Sequence, residues 1–472
     1  LRRFARHRVF CAASIAINLE PDATISPVQG IRSASIVTPG EIRPGVVLFE
    51  EGKILNVVSE APAGADVIDA AECLVFPGFV DVHAHINEPG RTHWEGFETA
   101  TRAAAAGGFT CVIDMPLNSI PSTTDVPALE QKRTAASGKA VIDYAFWGGV
   151  VPGNTQELRL LAEAGVLGFK CFLIHPGTAE FAMVTEKDLR EAMPEIAKLG
   201  VPLLAHSEVP EPVAAATANV ADCDWRRYET YLASRPEAAE IQAIRLLIQL
   251  CEETGCRVHI VHLSAASAIP MLRQARSEGL HITVETCSHY LFFDSESVPD
   301  GATQYKCAPP IRSKQNQDAL WQALSNGVID LIATDHSPCP PELKCFETGD
   351  FGKAWGGISS LSVSVPAMWT AAKSRGFGPL DLTRWMAQRP AELAGLASRK
   401  GRISPGFDAD FTVLDPQAAF EVTTDRLHFR HPCSPYITQH LKGEIRMTTV
   451  RGNICFENGR FAEHPCGHEV RV

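Results

Sequence analysis

Residues 73–90 read CLVFPGFVDVHAHINEPG, and the order of residue types in that stretch decides the fold. The apolar run from Cys73 to Val80 has the composition of a strand buried on both faces, and it delivers two histidines, His83 and His85, at its carboxyl end. If the strand stays extended, residues two apart share a side, so both imidazoles face one point. Two such rings can hold one cation. They can equally be hydrogen-bonded turn histidines, and this stretch alone leaves both readings open.

Moving outward, the same texture repeats. Apolar strands are expected near 73–83, 109–115, 141–150, 167–173, 202–207, 257–263, 281–287 and 329–334. Helical segments fit between them, such as 94–106 ahead of Gly107-Gly108, 154–164 behind Asn154 and Thr155, and 236–254. Eight strands alternating with helices match a TIM-type (β/α)8 barrel, an α/β fold, although a doubly wound sheet also accommodates the alternation. The polar residues favour the barrel, because they fall at the ends of several different strands.

Lys170 stands among Phe169, Cys171, Phe172 and Leu173. Burial there favours the neutral amine, the form that reacts with carbon dioxide to give a carbamate able to bridge two metals. Taken singly it reads as an end-of-strand lysine reaching for solvent or pairing with an acid. His206 closes strand five, His262 closes strand six, and Asp335 follows the apolar Leu331, Ile332 and Ala333 of strand eight. A carboxylate there can touch a metal and exchange a proton with water. His259, three residues before His262, is expected to point the other way as a structural histidine, and His281 lies at the wrong end of its strand. His175, His289 and His336 sit near the rim, where they can support the ligands.

The two chain ends differ from this middle. Residues 30–72 and 399–460 read as short strands between Pro and Gly turns and are expected to pair as one small flanking β-sandwich domain around a barrel of 73–398. Residues 1–29 carry Arg2, Arg3, Arg6 and Arg8 with no acid before Glu20, which suits a targeting or disordered leader, and 461–472 read as a tail. The closing GHEVRV is not a peroxisomal tripeptide. A net charge of −12 argues against nucleic acid or an anionic membrane as partner, and no run of about 20 apolar residues is free of interruption. The 14 cysteines are scattered without a CxxC pair, which fits a reducing intracellular compartment, cytoplasmic or organellar (mitochondrial or peroxisomal).

From about residue 45 to 456 this constellation resembles the cyclic amidohydrolases, the family of dihydropyrimidinase, hydantoinase, dihydroorotase and allantoinase within the metal-dependent amidohydrolase superfamily. The resemblance implies two zinc ions or similar divalent metals: one held by His83, His85 and Asp335, the other by His206 and His262. Lys170, carboxylated on its side-chain nitrogen, would bridge them, and Asp335 would move protons for a hydroxide shared by the metals. Within the family, loop 86–123, with Thr92-His93-Trp94-Glu95-Gly96 and Met115-Pro116-Leu117-Asn118, is most similar to the allantoinase branch. So are VETCSHYLFF (284–293), KCAPPIR (306–312) and GDFGKAWGGISSL (349–361). Asn87 stands where dihydroorotases usually place an Arg for the substrate carboxylate. The branch implies hydrolysis of the hydantoin ring of allantoin to allantoate, within purine breakdown. It also implies substrate contacts from main-chain groups around Ser288 and Gly357 and the side chains of Asn118 and Ser359, and a homotetramer. A hydantoinase or dihydropyrimidinase activity is the second enzyme reading. A non-catalytic scaffold is disfavoured, since scaffold relatives lose ligands and all six positions are kept here. The first 30 residues match nothing in the family.

Overall fold

The apolar run of 73–90 forms two strands, Leu74–Pro77 and Phe79–Ala84, with Gly78 between them. A Cβ at Gly78 would stand 2.1 Å from the Thr110 hydroxyl, so only glycine lets the chain pass there. The first strand joins a sheet built by the chain ends; the second begins the barrel. These assignments come from a computed structural model that describes residues 28–472. The expected leader and its targeting signal lie outside the described residues, apart from positions 28 and 29.

Seven further strands follow in the barrel: Phe109–Asp114, Asp143–Phe146 continued by Gly148–Gly149, Phe169–Phe172, Leu203–His206, Val258–Ile260, Ile282–Cys287 and Leu331–Ala333. Each pairs in parallel with the next, and a parallel bridge between Ala84 and His336 closes the eighth onto the first. The (β/α)8 barrel expected from the alternation is the fold observed. Val80, Val82, Cys111, Ile113, Ala145, Trp147, Leu204, Leu331 and Ala333 fill its interior. The alternate residues, among them Phe79, Phe109, Val112, Phe169, Cys171 and Leu203, pack outward. Both faces of each strand are therefore buried, which explains the continuous apolar runs. Helices Phe97–Ala106, Glu157–Glu163 and Glu237–Thr254 form where the sequence pattern puts them. The last stops at Gly255, whose φ of 69° suits glycine.

The chain ends build a nine-stranded sheet joined by antiparallel pairing of Leu74–Pro77 with Phe411–Glu421. Strand Glu41–Glu50 lies three steps from Phe411–Glu421 in that sheet, roughly 14 Å if it were flat. Yet the rings of Phe49 and Phe411 are 5.5 Å apart, so the sheet folds over on itself. The sandwich is thus one bent sheet with Ile31, Val47, Ile54, Val75 and Met447 inside the bend. Residues 461–472 are docked: the Gly467, His468 and Val470 main chain bonds to Ala140 and Tyr144 along the third barrel strand, and Val470 is buried with Leu393 and Leu396.

One ion cluster ties these parts together. Lys400 Nζ lies 2.8 Å from Asp143, 3.1 Å from Asp408 and 2.6 Å from Asp410, and Arg451 also bonds Asp143. Among the described residues, no helix is long and apolar enough to cross a membrane.

Candidate metal centre

All six expected ligands sit at the carboxyl end of the barrel. His83 belongs to the first strand and His85 follows it; Lys170 and His206 belong to the fourth and fifth; His262 and Asp335 follow the sixth and eighth. The first strand carries one extra residue at this point: Asp81 is opposite Val112, but Ala84 is opposite Asp114. That bulge re-aims the strand after Val82, which faces the interior, so that His83 and His85 converge beside Asp335. His262 and Asp335 leave their strands through left-handed backbone, with φ of 39° and 44°, and Asn118 beside them has φ 71°. Non-glycine residues pay for that conformation, and such outliers gather at functional sites.

Asp335 Oδ1 is 3.4 Å from His83 Nε2 and 3.5 Å from His85 Nε2, so the three residues offer ligand atoms to one point. The His262 ring centre is 5.4 Å from that of His83 and 4.6 Å from that of His206. Lys170 Nζ is wholly buried 4.9 Å from the Phe172 ring, and among the described residues neither it nor His262 Nδ1 has a hydrogen-bond partner. Buried polar groups are normally paired, so these orphaned donors and acceptors point to a ligand as their partner.

The electrostatics keep the set in metal-binding form. Burial pushes the His85 imidazole down to about 4, against the pull of Asp335. Burial likewise lowers His206, and lowers His262 well below the usual range. Burial lowers Lys170 to about 8. Burial would raise Asp335, but His83 and the hydrogen bond from His85 hold its carboxyl at about 2. Neutral imidazoles, an accessible amine and an ionised carboxylate are the states that ligation requires.

Two buried acids missed in the sequence support the ligands. Glu285, in strand Ile282–Cys287, accepts from His83 Nδ1, is 3.0 Å from His259 Nε2 and accepts the His262 N–H at 3.1 Å. Glu208 faces His206 Nε2 at 2.8 Å and is held by Arg235. The reasoning that singled out Lys170, a charge inside an apolar strand, also marks Glu285. His259 is fully buried with Nδ1 2.8 Å from the Thr283 hydroxyl and Nε2 3.0 Å from Glu285, and it does not line the cavity, as expected of a structural histidine; Glu285 meets His262 only through its main-chain N–H.

Five of the six expected ligands, all but the buried Lys170, floor a cavity of about 460 Å³, within the range of small-molecule sites. Of the residues expected at the substrate, Asn118 and Gly357 line it, whereas Ser288 and Ser359 do not. Ser288 is fully buried with its hydroxyl 3.1 Å from that of Ser364, and the Ser359 carbonyl accepts from Ser434. Asn118 Nδ2 is 3.4 Å from His85 Nδ1. Gly357 N–H donates to the Lys306 carbonyl, and its own carbonyl accepts from Lys344 Nζ. His175 lines the cavity; His336 contributes main-chain bonds to barrel closure; His289 is buried below Asp335; His281 is exposed at the opposite end of its strand. Asn87 is buried, donating to the Pro338 carbonyl at 3.3 Å.

Among the described residues, two other groups have metal-ligand spacing. Asp143, Asp408 and Asp410 already surround Lys400 Nζ. Cys287 and His289 share Asp335 with the centre described here.

The sequence profile of the amidohydrolase family matches residues 74–455. An allantoinase of Streptomyces avermitilis is 48% identical over 92% of this chain and 96% of its own length. An allantoinase of Arabidopsis thaliana is 42% identical over 93% of this chain and 90% of its own. The solved structure of an L-hydantoinase (dihydropyrimidinase) from Arthrobacter aurescens superimposes with a TM-score of 0.89 at 31% identity, covering 94% of this chain and 99% of that one.

Proposed function

This chain belongs to the amidohydrolase family, and on that premise we propose that it hydrolyses the hydantoin ring of allantoin to allantoate, using two zinc ions. It is a hydrolase of a cyclic amide with a small-molecule substrate. The observation that carries the reading is the convergence of His83, His85 and Asp335 with His206 and His262 on the floor of one cavity, with Lys170 buried beside Phe172, the ring that stacks on His206. His83, His85 and Asp335 would hold one metal, His206 and His262 the other, with carboxylated Lys170 between them. Bound there, the ions would supply Lewis acidity, lowering the pKa of water toward about 7 and polarising the ring carbonyl.

The chain's own residues do the rest. Asp335, ionised and held between two imidazoles, accepts the proton lost by the attacking water and returns it to the ring nitrogen as the carbon–nitrogen bond breaks. Asn118 and the Gly357 loop border the substrate; Ser288 and Ser359 are not among the residues that line the cavity.

Charge pairing inside the cavity supports an uncharged ring over a carboxylated one. Arg235 is bound to Glu208, Lys306 donates to the Gly352 and Ala354 carbonyls, and Lys353 pairs with Asp350 at 3.0 Å. Among the described residues, the one arginine of the lining is thus taken up by Glu208 and leaves no free guanidinium for a substrate carboxylate, although Lys306, bonded only to carbonyls, keeps its charge unpaired. Purified protein offered allantoin, hydantoin, dihydrouracil and dihydroorotate, with zinc measured on the same sample, tests the reading. Preferred turnover of allantoin is expected; faster turnover of hydantoin or dihydrouracil would move the assignment to the hydantoinases. A homotetramer belongs to the same reading and is checked by light scattering.

A further inference from the structure

His206 has two ring nitrogens, and its surroundings leave one of them for a metal. Nε2 faces Glu208 Oε2 at 2.8 Å, and the ring lies stacked on Phe172 with centres 4.6 Å apart, which fixes its plane. Glu208 is fully buried and held through both oxygens by one guanidinium: Arg235 Nε to Oε1 at 3.1 Å and Nη2 to Oε2 at 2.6 Å. A carboxylate clamped in this way is ionised and only accepts. The ring proton of neutral His206 therefore resides on Nε2, and the lone pair on Nδ1.

The other metal position is wired in the opposite sense. His83 gives Nδ1 to Glu285 and directs Nε2 toward Asp335. The two positions differ in their supports. Glu285, two strands away around the barrel, meets the His83 ring but touches the second position only through the His262 main-chain N–H. Glu208 lies two residues beyond His206 in the same segment and meets the His206 ring. Changing Glu208 leaves the Glu285 contacts untouched.

We propose that Glu208, clamped by Arg235, positions His206 through Nε2 so that Nδ1 is offered to metal, and that this pair sets the affinity of the His206–His262 position alone. The inference rests on the two-metal reading above. Glu208 and Arg235 are positioning residues; neither is required to touch the reacting atoms.

The test counts metal as well as turnover. Removing Glu208 alone would leave Arg235 buried without its partner, so the informative variant is the double change Glu208→Leu with Arg235→Met, which removes acceptor and cation together. Native protein and variant are loaded with zinc, equilibrated against a graded chelator and analysed for zinc per chain, with thermal melting of the metal-free forms alongside. Lost supports of this kind weaken metal binding by roughly 10–100-fold. The expected result is that the variant melts as the native protein does, keeps one zinc as tightly, and releases the other at lower chelator. Glu208→Gln, which keeps an acceptor oxygen but not the charge, should fall between. Two zinc ions held as tightly as in the native protein, or equal weakening of both, would overturn the inference. If the double variant does not fold, Glu208→Gln decides, and unchanged zinc retention there overturns it. Native protein that holds a single zinc would overturn the two-metal reading itself, and this inference with it.

Discussion

His83 Nε2, on the first barrel strand, lies 3.4 Å from Oδ1 of Asp335, just beyond the eighth, so imidazole and carboxylate meet where the barrel closes. Closure rests on His85 N–H donating to the His336 carbonyl at 2.8 Å and on the Asp81 carboxylate accepting the Thr334 N–H at 3.1 Å, not on the Asp335 side chain. Replacing the carboxylate by an amide keeps shape and closure but removes the proton acceptor. Asp335→Asn should therefore retain a native circular dichroism spectrum and lose turnover of allantoin by about 100-fold or more. Steady-state kinetics on the folded variant check this, and a near-native kcat would remove Asp335 from its proton role.

Lys170 yields a pH prediction. Burial lowers its pKa to about 8 from the ordinary 10.5, so the ammonium prevails below about 8 and the amine above it. Carbamate formation needs the amine: its nitrogen bonds the carbon of carbon dioxide and the displaced proton leaves to solvent. Metal-stripped protein given zinc at a fixed level of dissolved carbon dioxide should regain activity about tenfold faster at pH 9 than at pH 7, following the amine fraction. Lys170→Ala should regain none. A recovery rate flat across that range, or recovery in the alanine variant, would exclude the carbamate.

The barrel and the polar residues gathered at its carboxyl end were legible because each rests on local pattern. A run such as Leu331-Ile332-Ala333, buried on both faces, identifies itself, and a polar residue at its end stands out against it. What stayed hidden depends on contacts between distant segments. Glu285 acquires its role only when closure brings His83 over it, and the sandwich emerges as one bent sheet only through the meeting of Phe49 with Phe411. Sequence likeness, which points to Ser288 and Ser359, carries no information on depth, and neither residue lines the cavity.

Lys400 sits far from the metal ligands yet joins barrel, sheet and tail. Burial disfavours its charge, but Asp410 and Asp143 raise its pKa above the ordinary value, so it remains an ammonium. Lys400→Met would leave Asp143, Asp408 and Asp410 buried with less positive charge to balance them, a loss of about 3–5 kcal/mol. The melting temperature should drop by several degrees, while zinc content and kcat per folded molecule stay native. Calorimetry paired with zinc analysis checks this; an unchanged melting temperature would mean that Arg451 and Arg399 suffice to neutralise the cluster.

The Gly357 loop forms a cavity wall that owes its shape to two lysines. Lys306 Nζ donates to the Ala354 carbonyl at 2.6 Å and the Gly352 carbonyl at 3.2 Å; Lys344 Nζ donates to the Trp355 carbonyl at 3.1 Å and to that of Gly357. A Cβ on Gly357 would stand 2.4 Å from the Ser337 carbonyl, so the loop passes as close to the barrel rim as glycine permits. Hydrogen bonds from a charged donor are worth about 1.5–3 kcal/mol each, enough to hold such a loop against its entropy. Lys344 touches no metal ligand, so its loss should loosen the wall without emptying the floor. Lys344→Met is expected to raise KM for allantoin about tenfold, equivalent to about 1.4 kcal/mol, with kcat and zinc content close to native. A fall in kcat at unchanged KM would place the loop in the chemical step rather than in substrate binding.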